Sequence, residues 1–525
     1  MEKFFNTAGP IKPELHYYVD TRKRWDVDEV LSLIRQQKYF VLHAPRQTGK
    51  TSAILALMHF LNESGEYEAI YANIEPAQAA RENVEAAMRA VVGKIASSHH
   101  FYPKSSLLKD QWVDMYANSG GHQGLEDILT FWSQHAEKPT VLFLDEVDAL
   151  IGDTLISLLR QIRSGYNSRP AGFPISIILC GVRDVRDYRI HSSSTKEIIT
   201  GGSAFNIKAE SLRMENFTPE HIQDLFDQHT IATGQIFEEG ILDLVWTYTH
   251  GQPWLVNALA YQVTYNMREN RDRSRSITVE ALKEAKEELI IRRDTHLDQL
   301  IDKLREDRVR RIIEPLLSGN QTTQEHHPDD VLYVRDLGLI EVGRNGLITI
   351  ANAIYQEIIP RELSWTIQTG LSTDPVWYMH EDGSLDMHKL LRSFQEFFRK
   401  HSESWIERID YKEAGPQLLL QAYLQRIVNG GGRIEREYAF GSRRTDLFVE
   451  FFYGNNQKQA IVLELKILYN KLESTLEEGL VQTRDYMDKC EATEGHLLIF
   501  DRDPEKNWDD KIWEKEVQNI YVWGS

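Results

Sequence analysis

Apolar and polar positions along the chain fall into two patterns. Short runs in which nearly every residue is apolar (KYFVLHA at 38–44, YEAIYANI at 67–74, TVLFLDE at 140–146 and ISIILCGV at 175–182) are separated by longer polar and helical stretches. Runs this short and this apolar predict strands buried on both faces of a sheet. Their alternation with helices predicts βαβ units and a parallel sheet. A lead-in helix is expected at Asp26–Gln36, and another begins near Lys50. From Thr218 the pattern becomes helical throughout: TPEHIQDLFDQHT, EEGILDLVWTYTHG and PWLVNALAYQVTYNM are amphipathic. Thr218 followed by Pro219 is a helix start, a hydroxyl cap before a residue that needs no N–H donor.

The later half repeats the alternation on a smaller scale. Two helices after Thr295 lead into VLYVRDLGLIEVGRNGLITIANAIYQEIIPREL, read as helix, hairpin turning at Gly343–Gly346, and helix. That order suits a winged-helix-like unit. The next stretch has Gly, Pro and Ser and no clean period, so it reads as a linker. The expected organisation is a parallel-sheet core over 1–215, a helical lid over 216–290, the winged-helix-like unit over 291–363, the linker over 364–384, and a last α/β domain over 385–525. The fold class expected is thus α/β multidomain.

Composition narrows the class without naming it. At 525 residues the chain is too long for a single core. Its hydrophobic share of 42% and charged share of 26% are those of an ordinary globular protein. No apolar run approaches the roughly 20 residues that span a bilayer, so no membrane partner is expected. The opening residues lack a basic stretch followed by an apolar one, so no secretory signal is expected. The two cysteines, Cys180 and Cys490, have no metal-ligand spacing, and a reducing cytoplasm is the expected location. A net charge of −19 argues against bulk wrapping of nucleic acid, which runs on neutralising phosphates, and leaves room for a local basic groove.

Two motifs in the first third carry phosphate chemistry. APRQTGKTS, Ala44–Ser52, matches the phosphate-loop pattern G-x-x-x-x-G-K-[ST] except that Ala44 stands at the first glycine. An apolar strand precedes it and a helix follows. Backbone N–H groups from Gln47, Thr48, Gly49, Lys50 and Thr51 can wrap a phosphate at the helix N-terminus, with Ser52 next in line. Lys50 can reach the β- and γ-phosphates of ATP, and the Thr51 hydroxyl can ligate Mg²⁺. The bland alternative is a glycine that only closes a turn. Against it stands VLFLDEVD, which delivers Asp145 and Glu146 to a strand C-terminus, where ligands of open α/β sheets collect. Asp145 is the expected second Mg²⁺ contact and Glu146 the expected base or orienter of the attacking water. Asp148 is a candidate cap for the following helix.

At these residues the sequence resembles a known group. FVLHAPRQTGKTS, VLFLDEVDAL, LLRQIRSGYNSRP, ILCGVRDVRDY and THGQPWLVNALA together are similar to bacterial AAA-like ATPases, over about residues 1–265. The resemblance implies a γ-phosphate sensor after the fourth strand. Here that strand ends in Cys180–Gly181, so Arg183 or Asp184 is the substitute. Arg160 and Arg163, on the helix after the acidic pair, are either arginine fingers reaching a neighbouring subunit of a homo-oligomer or surface ion-pair partners.

The second informative stretch is GSRRTDLFVEFFYGNNQKQAIVLELKI. Two strands flank a polar turn at Asn455–Asn456. Counting outward from the turn puts Asp446 opposite the Glu464–Lys466 region. Period-two alternation puts Glu464 and Lys466 on one face and Ile461, Leu463, Leu465 and Ile467 on the other. Acid and lysine in so apolar a strand are costly unless they are paired or hold a metal. The spacing of aspartate, glutamate and lysine resembles the PD-(D/E)XK nuclease superfamily, although Thr445 stands where that name has proline. GPQLLLQAYLQRIV, RIEREYAFG, a helix with Gln482 and Tyr486, and GHLLIFDRD occur in the family's order. The resemblance implies that Asp446 and Glu464 ligate Mg²⁺ or Mn²⁺, that Lys466 positions the attacking water, and that Gln482 assists. Glu413 and Glu435 are weaker carboxylate candidates, and Arg443 and Arg444 are candidate phosphate contacts. The alternative is a salt-bridge set on a solvated hairpin.

The whole chain resembles bacterial fusions of an AAA-like ATPase to this nuclease fold. The function expected is an ATP-hydrolysing protein coupled to a metal-dependent nuclease acting on nucleic acid, DNA before RNA. The rival is a nucleotide-switched regulator or scaffold whose nuclease fold binds nucleic acid or protein without cutting.

Overall fold

The computed structural model describes the chain apart from residues 1, 184–188, 192–197, 201–206, 293–299, 301, 318–326, 344, 364–377, 407–419, 421–422, 425–431, 441–442, 455–456, 469–470, 502 and 504–505. The expected linker and the helix read from GPQLLLQAYLQRIV therefore lie largely outside the described residues. By contact the chain forms two compact units, Met1–Asp298 with His327–Ile340, and Gln299–His326 with Glu341–Ser525.

The first unit opens with β1 (Phe4–Phe5), β2 (His16–Tyr17), α1 (Val27–Arg35), β3 (Tyr39–His43), α2 (Lys50–Ser64) and β4 (Glu68–Asn73). Next come α3 (Val84–Phe101), α4 (Leu107–Ser119), α5 (Gly124–His135), β5 (Thr140–Asp145), α6 (Gly152–Ser164) and β6 (Ser176–Gly181). The short antiparallel pair β7 (Arg189–His191) and β8 (Ile198–Thr200) precedes β9 (Lys208–Arg213). The main sheet has the order β4-β5-β6-β3-β9, and every pairing in it is parallel. All residues of β3, β5 and β6 are buried, as their unbroken apolar runs require. One face packs on α3, α5 and α6 through Val91, Ile128 and Leu158, the other on α1 and α2 through Ile34 and Ile54. At the head of α1 the Asp26 carboxylate accepts the Glu29 N–H at 2.9 Å, which fixes that helix's start.

The fifth strand, β9, is not among the runs read from the sequence. Its residues, KAESLR, include only two apolar side chains and form no apolar run, and it lies at the sheet edge beside β3. It matters to the site, since the chain leaves it through Met214, whose N–H donates to His43 O at 3.0 Å. From there the chain enters the helices α7 (Pro219–Thr233), α8 (Ile241–Thr249), α9 (Pro253–Tyr261) and α10 (Val279–Arg292). Thr218 caps α7 with Pro219 at its first position, as expected. The N-terminal residues run across these helices: Phe5 packs on Phe226 at 5.6 Å, and Trp254 Nε1 donates to Thr7 O at 2.9 Å.

After α11 (Asp307–Leu317) and α12 (Pro328–Asp336), strands β10 (Ile340–Val342) and β11 (Ile348–Ile350) form a small sheet, followed by α13 (Ala353–Leu363). Its turn is closed by the Gly343 N–H donating to Leu347 O at 2.8 Å.

The second unit continues with α14 (Met387–Ile406), β12 (Gly432–Phe440), β13 (Arg443–Tyr453), β14 (Gln457–Ile467), α15 (Leu472–Cys490), β15 (Glu494–Phe500), α16 (Trp508–Lys511), β16 (Trp513–Val517) and β17 (Ile520–Gly524). These strands make a mixed six-stranded sheet in the order β12-β13-β14-β15-β17-β16. β12, β13 and β14 are antiparallel neighbours, while β14, β15 and β17 run parallel. One face, with Leu447, Val449, Ile461 and Leu463, buries against Leu390, Leu391 and Phe394 of α14. The other, with Leu497, Ile499 and Val522, buries against Leu480 of α15.

A buried polar chain pins β15 to β17. Trp523 Nε1 donates to His496 Nδ1 at 3.0 Å, so the ring proton sits on Nε2, which donates to Glu494 Oε1 at 2.9 Å. Burial holds the His496 pKa below the ordinary 6.5, against the pull of Glu494. A depressed imidazole contributes stability above the unfolded pKa and loses it as pH falls. We therefore expect the unfolding midpoint of the second unit to drop between about pH 7.5 and about pH 5. His496→Gln should start lower and change less over that range. Calorimetric scans giving the variant the wild-type pH slope would contradict this assignment.

Candidate functional site

The loop between β3 and α2 is built from residues that turn the backbone twice. Gln47 has φ 58° and Gly49 has φ 91°, both left-handed. Left-handed residues interleaved in a turn aim successive N–H groups into one concavity, here at the N-terminus of a 15-residue helix. A side chain at Gly49 would be strained by that φ, and its Cβ would stand 2.9 Å from Arg24 Nη1. Ala44 takes no left-handed backbone. Its methyl instead packs in a small cluster with Ala53 and Met214, which is why alanine serves where the pattern has glycine.

Lys50 is 9% exposed. Its ammonium donates to Ala44 O at 2.8 Å and to Pro45 O at 2.9 Å, so the loop's own carbonyls satisfy it. Burial lowers its pKa, and the carboxylates of Glu146, Asp148 and Asp145 pull the other way. The Thr48 hydroxyl donates to Pro45 O at 2.9 Å, closing the loop on itself.

Opposite stands the end of β5. Asp145 accepts the Thr51 hydroxyl at 2.8 Å and the Tyr71 hydroxyl at 2.9 Å on the same oxygen, Oδ2. The structure thus brings together Lys50, Thr51, Asp145 and Glu146, which the sequence names from separate motifs. It adds Tyr71, whose phenol is pushed up first by burial and then by Asp145. Nothing in the local sequence marks that tyrosine, because the contact spans the sheet from β4 to β5. Glu146 sits in left-handed backbone at φ 60°. Burial raises its pKa, with Asp145 adding and Lys50 opposing.

Asp148 stands differently from its expected place, and Ser52 and Arg183 have contacts of their own. Asp148 caps no helix: its carboxylate accepts the Val182 N–H, and α6 begins instead at Gly152 after Ile151. A side chain at Gly181 would collide with that carboxylate, which explains why the fourth strand ends in glycine. Ser52 accepts the Ile11 N–H at 2.9 Å, so its hydroxyl holds the N-terminal segment. Arg183 is half-buried with its guanidinium 4.8 Å from the centre of the Tyr333 ring of α12. Asp184 lies outside the described residues. Arg160 and Arg163 are both exposed on α6, and neither has an ion pair among the described residues.

α12 belongs to this unit by direct contact. His43 Nδ1 and Asp336 Oδ1 are 4.0 Å apart, and a Cβ on Gly338 would meet Pro45 at 2.7 Å. Another neighbour missed by sequence reading is Arg24, which donates to the Thr48 carbonyl of the loop.

In the second unit the register pairs Leu447 with Leu463, so Asp446 and Glu464 occupy the next position on each strand. The side chains of Asp446, Glu435, Arg443 and Arg444 lie outside the described residues, as does all of Glu413. Glu464 is 4% exposed, and Lys466 Nζ lies 3.4 Å from it. The same ammonium is 3.6 Å from Glu478 of α15. One turn further along α15, Gln482 Oε1 is enclosed with no hydrogen-bond partner among the described residues. Also among the described residues, no group of three or more His, Cys, Asp or Glu is placed to hold a metal ion, and no helix is long and apolar enough to cross a membrane.

Among solved structures, a Walker-type ATPase of Pyrococcus abyssi is similar at 15% identity and a TM-score of 0.47, over 68% of this chain and 99% of that one. Cdc6p of Pyrobaculum aerophilum is similar at 17% identity and a TM-score of 0.36, over 66% and 95%. The RuvB Holliday junction branch migration motor of Thermotoga maritima is similar at 14% identity and a TM-score of 0.32, over 64% and 94%. No curated protein matches the chain. The AAA-like domain family matches residues 6–359, well over half the sequence and all of the five-stranded parallel sheet with its phosphate loop, and the chain belongs to that family as a P-loop ATPase that binds ATP.

Proposed function

We propose that the chain couples ATP hydrolysis in its first unit to a metal-dependent nuclease in its second, acting on DNA. In the first unit Lys50 would exchange the carbonyls of Ala44 and Pro45 for the β- and γ-phosphates. The N–H groups from Gln47 to Thr51 would wrap the phosphates. Thr51 and Asp145 already share a hydrogen bond, and opening it would give two oxygens to Mg²⁺. Glu146 would take the proton of the attacking water, a task that suits a carboxylate whose pKa burial raises. Arg183 is the candidate γ-phosphate sensor. Arg160 and Arg163, exposed on α6, are available to a neighbouring subunit.

The single observation that carries the nuclease reading is a buried acid paired with a half-buried lysine in the apolar half of β14. Glu464 and Lys466 share one face of β14, across from the Asp446 position, and Lys466 faces Glu478 of α15, one turn from Gln482, whose Oε1 has no partner among the described residues. The donors are hard carboxylate oxygens and suit Mg²⁺ or Mn²⁺. Asp446 and Glu464 would hold the ion, which when bound lowers the pKa of a water and neutralises phosphodiester charge. Lys466 would orient that water, and Gln482 would hold it or the substrate. A second reading, a regulator that binds without cutting, draws on the bracketing of Lys466 by Glu464 and Glu478, an arrangement that a structural ion-pair set also makes.

Two outcomes test the proposal. Lys50→Ala should lose tight ATP binding, while Glu146→Gln should bind ATP and turn it over on the order of 100-fold more slowly. Steady-state ATPase assays showing both variants at the wild-type rate would overturn the assigned site. The purified chain should also cut plasmid, linear duplex or single-stranded DNA with Mg²⁺ or Mn²⁺. Asp446→Ala, Glu464→Ala and Lys466→Ala should abolish cutting and leave ATP turnover intact. An ATP-hydrolysing wild type that leaves DNA and RNA intact with either metal, with and without ATP, would put the regulator reading ahead.

A further inference from the structure

Arg24 is a buried cation that the sequence motifs do not account for. It is 8% exposed and lies between β2 and α1. Its Nη1 donates to the Thr48 carbonyl, its Nη2 donates to the Glu215 carbonyl at 2.6 Å, and its face lies 4.8 Å from the Phe217 ring centre. No carboxylate forms an ion pair with it among the described residues, and its Nε has no partner there. Burial pushes its pKa down to about 10. A buried guanidinium held only by carbonyls and a ring is short of negative charge.

The two carbonyls belong to different parts of the site. Thr48 is in the phosphate loop. Glu215 and Phe217 lie in the crossover from β9 to α7, where the Met214 N–H donates to His43 O at 3.0 Å and the Phe217 N–H to Gly251 O at 2.8 Å. That crossover is the segment that joins the helices α7 to α10 to the sheet. Donation to the Thr48 carbonyl also polarises the Thr48–Gly49 peptide, whose other end is the Gly49 N–H of the phosphate-wrapping concavity.

We propose that Arg24 is a positioning residue for the ATP reaction, strengthening the Gly49 N–H toward phosphate while tying the loop to the Glu215–Phe217 crossover. This rests on reading the loop as the ATP site. Phosphate in the loop supplies the negative charge that the guanidinium lacks, and the guanidinium in turn holds the crossover in register with the occupied loop. Lysine keeps the charge but has no planar fork to reach both carbonyls. Glutamine keeps one donor and no charge.

The test is ATP affinity, measured by titrating a fluorescent ATP analogue, with KM and kcat measured alongside. Arg24→Gln should raise Kd and KM about tenfold or more and leave kcat within a few-fold. Arg24→Lys should recover part of that loss. The rise in unfolding midpoint on adding ATP should shrink in Arg24→Gln. A purely structural arginine would instead lower the midpoint without nucleotide and leave the Kd of the folded fraction at the wild-type value, which overturns the proposal. If Arg24→Gln does not fold, Arg24→Lys decides: wild-type Kd and KM refute the positioning role, and an intermediate loss supports it. Wild-type protein that does not bind the analogue would be a failure of the ATP-site reading itself, distinct from a failure of Arg24.

Discussion

Burying the Lys50 ammonium at the end of a parallel sheet is the constraint on which the rest of the first unit turns. An isolated charge in such a place is prohibitive, so the loop folds back to present Ala44 and Pro45 carbonyls to it. That fold-back needs left-handed backbone at Gln47 and Gly49, and the same turns aim the loop's N–H groups outward as an anion cradle. Acid at the end of β5 offsets the charge at longer range, and burial lifts Glu146 and Asp148 in return. The loop is thus held in a conformation that waits for phosphate, with its lysine provisionally satisfied.

Around that centre the other elements read as supports. β9 gives the sheet its edge beside β3 and hands the chain to the helices through Met214. The N-terminal segment reaches Ser52 through Ile11 and Thr48 through Arg24, so both ends of the loop-and-helix joint are fastened by residues that precede them. α12 comes back to the same end of the sheet with Tyr333 over Arg183 and Gly338 against Pro45. Three separate stretches of backbone thus meet at the loop end of the sheet.

Much of this was legible in the sequence where the signal is local. β3, β5 and β6 are buried on both faces and show it as unbroken apolar runs. The phosphate loop and the acidic strand end carry spacing that the chemistry requires. Counting outward from a turn put Asp446 opposite the Glu464–Lys466 region, and the Leu447–Leu463 pairing sets the next position within it, at Glu464. What escaped is what the fold assembles at long range. β9 carries KAESLR because an edge strand needs no apolar run. Tyr71 reaches Asp145 across a strand pairing. Arg24 and Asp336 meet the loop region from 24 and 288 residues along the chain from Thr48, and no period or spacing announces them. Asp148 escaped for a related reason: its partner, the Val182 N–H, lies on a different strand end.

The most direct test of the account is hydrogen exchange on the full-length protein with and without saturating ATP and Mg²⁺. Exchange reports opening of individual backbone N–H groups, and phosphate wrapped by the loop must cover them. The account predicts slower exchange concentrated in the peptide spanning Pro45–Ser52, with a second protected stretch at Met214–Thr218. ATP bound to the protein with exchange over Pro45–Ser52 unchanged would contradict it.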